Sequence, residues 1–248
     1  MQTWWTLTRR ELGGYFLSMT GYIIIAAAMF MMGFSFVALL WKIQAEPTTL
    51  LVTEMLTPFF WAIFVLATPI ITMRLFAQEK FSGTFETLMT TPVSDFEVVL
   101  AKFTAALVFY VVMWLPFVAC MFIVRHYTND PAPFDTGVFG TTFLGILLVG
   151  CLYLSLGCFA SAITRSQVTA AMISLVAGAC LFLLGLMADK IPAPVNWQAQ
   201  VLGSVALFEQ MRDFSRGVVD TRSVVLFVTL TLFFLFLTLR IVESRRWK

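Results

Sequence analysis

Six apolar runs, each about as long as a bilayer is thick, limit this chain more than any motif in it. The first is residues 22–41, YIIIAAAMFMMGFSFVALLW. The others cover 58–73, 103–124, a stretch within 138–163, 168–188 and 224–239. A helix needs roughly 20 mostly apolar residues to cross the hydrocarbon core. Backbone amides in lipid must be satisfied within the spanning element, so each run reads as a helix. The period-two alternation of a membrane barrel is absent. Charge supports this reading. Only 12% of the residues are charged and 60% are hydrophobic, whereas a soluble domain is about a quarter charged. The expectation is an all-α integral membrane protein with six transmembrane helices. Arg9 and Arg10 precede the first run as they would in a secretory signal. That run is too long for a signal core and ends without a small-residue cleavage site, so a retained first helix is expected.

Lys and Arg counts set the orientation. With the N-terminus inside, the inner segments hold Arg9, Arg10, Arg74, Lys80, Lys102, Arg165, Arg240, Arg245, Arg246 and Lys248. The outer segments hold six basic residues, four of them in one long loop, where the rule has less force. Both termini are expected to be cytoplasmic.

Several function classes lose support. A net charge of +2 does not suggest a nucleic-acid partner. Cys120, Cys151, Cys158 and Cys180 lie in apolar runs without C-x-x-C spacing and read as packing residues. His126 stands alone and reads as a loop residue. There is no G-x-x-x-x-G-K-[ST], H-E-x-x-H or G-x-S-x-G, so neither a phosphate-binding loop nor a hydrolase site is expected. No charge sits near the middle of a run, unlike the usual ion-coupled carrier. Energy for any transport is expected to come from outside the chain.

Three segments between the runs carry signals of their own. Residues 1–19 contain Trp4, Trp5, Leu7 and Leu12 with Arg9 and Arg10. They suit a helix lying in the headgroup layer, or tryptophans that merely anchor the first span. Residues 74–102 read as a cytoplasmic loop, and 77–97 within it are the least apolar stretch of the first half. The second helix is expected to continue through MRLFAQEKF to a stop at Gly83. TFETLMTT then makes a short helix with Phe85, Leu88 and Met89 on one side, and Pro92 ends it. Ser94 and Glu97 have capping-box spacing to start the helix into the third span. A plain connection needs only a few residues, so this segment reads as a docking knob for a cytosolic partner. Residues 189–222 form the other polar insert. Val201, Val205, Phe208, Met211, Phe214 and Val218 recur at i+3 or i+4, opposite Glu209, Arg212, Asp213 and Arg216. This outer amphipathic helix is expected either to gate a path or to cover the bundle.

Residues 68–103, TPIITMRLFAQEKFSGTFETLMTTPVSDFEVVLAKF, resemble the permease subunits of ABC-2-type transporters, and within them the gliding-motility GldF-type branch. The pattern falls on Glu79, Lys80, Gly83, Thr84, Glu86, Leu88, Pro92, Val93 and Ser94. LFEQMRDFSRGVVD and the ESRRW ending resemble the same branch. The resemblance implies one ABC-2-type membrane domain over residues 1–248, in a bacterial cytoplasmic (inner) membrane. It implies two copies of a cytosolic ABC ATPase, which bind ATP and Mg, so that this chain holds no cofactor and is no enzyme. A second permease chain, identical or related, would pair with this one, and there is room for an extracytoplasmic accessory subunit. Glu79, Lys80, Gly83, Thr84, Phe85, Glu86, Leu88, Met89 and Pro92 would form the ATPase-coupling interface. Trp4, Trp5, Arg9 and Arg10 would belong to the connecting helix, and Phe208, Met211 and Phe214 to a gate at the exit. Export of a substrate is the function implied. A mechanical subunit that drives a partner complex without flux is the alternative with the same sequence pattern.

Overall fold

The computed structural model describes residues 2–42, 58–84, 93–128, 136–190 and 207–246. These residues form α1 (Gln2–Phe16), α2 (Met19–Lys42), α3 (Pro58–Thr72), α4 (Ala77–Ser82), α5 (Asp95–Thr128), α6 (Thr136–Ile163), α7 (Gln167–Lys190), α8 (Leu207–Ser215) and α9 (Thr221–Arg246). Six stretches are long and apolar enough to cross a membrane: α2, α3 with α4, α5, α6, α7 and α9. They coincide with the six apolar runs. Helix α5 starts well before its apolar run because the capping box forms. The Glu97 N–H donates to Ser94 Oγ at 3.3 Å, and the Ser94 N–H donates to Glu97 Oε2 at 3.4 Å.

The bundle has an inner and an outer set of spans. Two thirds of the α3 and α6 windows (67% each) and 61% of the α5 window are buried, against 22% for α2 and α7 and 17% for α9. Lipid tails are as apolar as leucine, so the inner helices are held by close packing and by buried hydrogen bonds. Phe64 sits at the centre, 5.4 Å from Phe60, 5.7 Å from Tyr110, 6.0 Å from Trp114 and 5.5 Å from Tyr153, measured between ring centroids. Such ring pairs add about 0.5–1.5 kcal/mol each beyond their area. Tyr110 Oη donates to the Ile146 carbonyl at 3.0 Å and Tyr153 Oη to that of Gly178 at 3.1 Å, so the buried phenols are satisfied. A side chain at Gly150 would strike the Tyr110 ring, and one at Gly157 would strike Thr72. These two glycines let α5 and α3 press against α6.

Contacts along α6 fix the directions of its neighbours. Tyr110 meets Ile146 while Phe117 meets Phe139, so α5 runs antiparallel to α6. Phe64 meets Tyr153 while Thr72 meets Gly157, so α3 runs parallel to it. The bundle therefore has two distinct ends. One gathers the C-termini of α3 and α6 with α1 and the start of α5. The other gathers the starts of α3 and α6 with α8. Gly145 and Ser161 mark these ends on α6. They are 16 positions apart, which corresponds to roughly 24 Å of helix.

The expected continuous helix through 73–81 is corrected. Helix α3 ends at Thr72, residues 73–76 turn, and α4 begins at Ala77. Pro69 lies inside α3 and Pro116 inside α5, and both helices continue through them.

Candidate functional site

The break at 73–76 is built rather than frayed, as its backbone groups show. A broken helix leaves carbonyls and amides that must find new partners. The carbonyl of Ile71 accepts from Tyr15 Oη at 2.7 Å. The carbonyl of Thr72 accepts from the Leu75 N–H at 3.1 Å. Ser161, fully buried near the end of α6, serves three groups. Its Oγ accepts from the N–H groups of Phe76 and Ala77, each at 3.1 Å, and donates to the Met73 carbonyl at 3.2 Å. Burial pushes the Tyr15 phenol well above its ordinary pKa, which keeps it a proton donor. Neither Tyr15 nor Ser161 stands out in the sequence. Each is one hydroxyl among several in its helix, and its partner lies more than 50 residues away.

Beyond the turn, α4 is short and ends at Gly83, whose φ of 75° is left-handed, as the stop signal requires. Glu79 on α4 does not point outward. Its Oε1 lies 2.8 Å from Lys102 Nζ and 3.3 Å from Arg10 Nη2. Lys102 Nζ also meets Glu11 Oε1 at 3.1 Å, and Arg10 meets the same oxygen at 3.0 Å. The four charges alternate in sign and join α1, α4 and α5. The Lys102 side chain is 3% exposed, against 57% for Arg10. The buried half of the network therefore dominates, since an exposed ion pair is worth little. Lys80 Nζ donates to the carbonyl of Ala162, which ties α4 to the end of α6 as well. A positive charge read from the sequence only as an orientation marker, Lys102, is thus the buried centre of this end.

Helix α1 packs along α5 and runs in the same direction. Thr3 Oγ1 donates to Glu97 at 3.0 Å, Glu11 pairs with Lys102, and Phe16 lies against Phe109 at 5.5 Å. Trp4 and Trp5 stand 6.1 Å apart, with Trp5, Arg9 and Arg10 exposed. Of the residues assigned to the coupling interface, Glu79, Lys80, Gly83 and Thr84 lie here. Phe85, Glu86, Leu88, Met89 and Pro92 lie outside the described residues. A cavity of about 240 Å³ opens among Arg10, Glu11, Arg74, Gln78, Glu79 and Lys102.

At the opposite end α8 presents the apolar face read from its periodicity. Met211 and Phe214 are buried, and Phe208 lies 6.2 Å from the Trp61 ring. Met211 and Phe214 pack on Gly145, where a side chain would collide with both. Thr141 Oγ1 donates to the Phe214 carbonyl at 2.8 Å. Glu209, Arg212 and Arg216 are exposed, as expected. Val218 is corrected. It is exposed, because Gly217 at φ 83° turns the chain away just past the helix. Val201 and Val205 lie outside the described residues. No group of three or more metal-ligating side chains occurs among the described residues.

The described residues thus form an all-helical bundle of six apolar spans with a polar junction after the second. The family described as ABC-2 family transporter protein matches residues 40–241, and this chain belongs to it. It is a multi-pass permease component of an ABC transporter, a non-catalytic class that works with a cytosolic ATPase and dimerises. A comparison with curated proteins finds no match.

Proposed function

We propose that the chain is the membrane subunit of an exporter in the bacterial inner membrane, close to the GldF-type branch. Two copies of a separate ATPase bind ATP and magnesium, and a second permease chain completes the pore. Both termini face the cytoplasm, by the excess of Lys and Arg on that side. One observation carries the reading. Glu79 and Lys80 lie on α4, with Gly83 and Thr84 just after it, and α4 is tied to three other helices, through Glu79 to α1 and α5 and through Lys80 to α6. A push on residues 84–92 therefore reaches α1 and two spans, α5 and α6, through directional bonds. Phe85, Leu88 and Met89 supply the apolar face of the knob, and Glu86 its polar register. Helix α8 covers the exit, with Phe208, Met211 and Phe214 as its closing contacts. A few kcal/mol of preference for the outward state is enough to invert the population.

Purification of the tagged chain from native membranes in mild detergent, with mass spectrometry, tests the assembly. A stoichiometric P-loop ATPase is expected. Recovery of the chain without one at any salt overturns the reading, and a large periplasmic partner without flux favours the mechanical role. Gly83→Pro and Glu86→Ala are expected to uncouple ATP hydrolysis from transport in vesicles while leaving the complex assembled. Normal transport by both variants removes the coupling role of the loop.

A further inference from the structure

Helices α2 and α3 enclose an apolar groove of about 350 Å³, within the size range of ligand pockets. Its walls come from Ile24, Ala28 and Met31 on α2 and Ile63, Ala67 and Ile70 on α3. Every lining residue is apolar except Thr20 and Arg74, and these two stand together. Thr20 pairs with Arg74 at one end while Met31 and Ile63 mark the other, so the two helices are antiparallel. Thr20 and Met31 are 11 positions apart, which corresponds to roughly 17 Å of helix. That is about half of a 30 Å hydrocarbon core, the depth of one leaflet.

The polar end is cationic, with no matching acid among the described residues. Arg74 Nη1 donates to Ser18 Oγ at 3.2 Å and to Thr20 Oγ1, and Nε donates to Gln78 Oε1 at 3.2 Å. No carboxylate pairs with Arg74 among the described residues, since Glu11 and Glu79 are engaged by Lys102 and Arg10. The charged cavity that Arg74 also lines holds three cations, Arg10, Arg74 and Lys102, against two acids. Among the described residues, the mouth of this greasy, leaflet-deep groove carries one more cation than acid. Arginine with neighbouring hydroxyls is suited to a phosphate.

We propose that this groove binds one anionic phospholipid. An acyl chain lies between α2 and α3, and the phosphate sits at Arg74 with the hydroxyls of Ser18 and Thr20. The site depends only on the membrane placement of α2 and α3 and not on the coupling role of residues 79–92. Arg74 itself belongs to the turn at 73–76.

Native mass spectrometry and thermal unfolding of the full chain test it, with phosphatidylglycerol or phosphatidylcholine added in mild detergent. One phosphatidylglycerol per chain is expected to be retained, at least about 10-fold in preference to phosphatidylcholine, with a raised Tm. Arg74→Gln is expected to abolish the preference. Ala27→Phe, at an exposed position lining the groove, is expected to abolish retention of either lipid while leaving Arg74 in place. Equal retention of both lipids by the unaltered chain overturns the proposal without reference to any variant. So does a Tm rise with inorganic phosphate alone equal to that with phosphatidylglycerol, which makes the site a simple anion site. Efficient disulfide crosslinking between two copies carrying Ile70→Cys, with no lipid retained, shows that a second copy fills the groove and also overturns it.

Discussion

Near the start of α6, Thr141 and Gly145 receive α8. Near its end, Gly157, Ser161 and Ala162 receive the α3–α4 turn. Both places dock a short helix against the same long one, and both use a glycine for close approach. The chemistry then differs. The α8 end relies on Met211 and Phe214 against a bare backbone, with a hydrogen bond across from Thr141. The opposite end relies on three hydrogen bonds at Ser161, a bond from Lys80 and a four-charge network around buried Lys102. Dispersion contacts are non-directional and individually weak. Hydrogen bonds and ion pairs demand a defined geometry, and a buried one is costly to break. On the proposed function this difference is useful. A lever needs directional joints, whereas a gate needs a face that can leave and return.

Three substitutions sharpen or break that contrast. The largest effect is expected from Lys102→Met, which leaves Glu11 and Glu79 with only the exposed Arg10. A loss of about 3–5 kcal/mol is expected, read as a lowered unfolding midpoint in detergent. Adding Glu11→Gln and Glu79→Gln should recover most of it, because the uncompensated charge is then gone. A midpoint unchanged by Lys102→Met would mean that the network is not a joint at all. Next comes Phe214→Ala, at about 3 kcal/mol. Its loss should be local. Amide exchange should rise across 207–215 while the bundle unfolds nearly as before. Global unfolding by this variant would make α8 part of the core and not a cover. The smallest is Ser161→Ala, about 2–3 kcal/mol for the freed groups at the turn, measured by the same midpoint. Ser161→Thr keeps the hydroxyl and should be milder. Equal effects from Ala and Thr would show that the hydroxyl does not hold the turn.

How much of this was legible in the sequence varies by element. The six spans were, because run length in hydrocarbon leaves a backbone little choice. The capping box at Ser94 and Glu97, the stop at Gly83 and the apolar face of α8 were, because each depends on residues within one or two turns. The break at 73–76 was not. MRLFAQEKF favours helix throughout, and the hydroxyls that replace its lost bonds come from Tyr15 and Ser161. The end of the α8 face was misread at Val218, since a periodic pattern does not show where Gly217 turns the chain.

Span number, helical class and the short caps followed from composition and local spacing, because bilayer thickness and helix geometry act within a few residues of the cause. Only the folded chain decided that Glu79 faces inward to Lys102, that Lys102 is buried, and that Arg74 closes a leaflet-deep groove beside Thr20. Those outcomes depend on side chains 23 to 91 positions apart meeting at one end of a bundle. No periodicity in one helix encodes where another helix will place its charge.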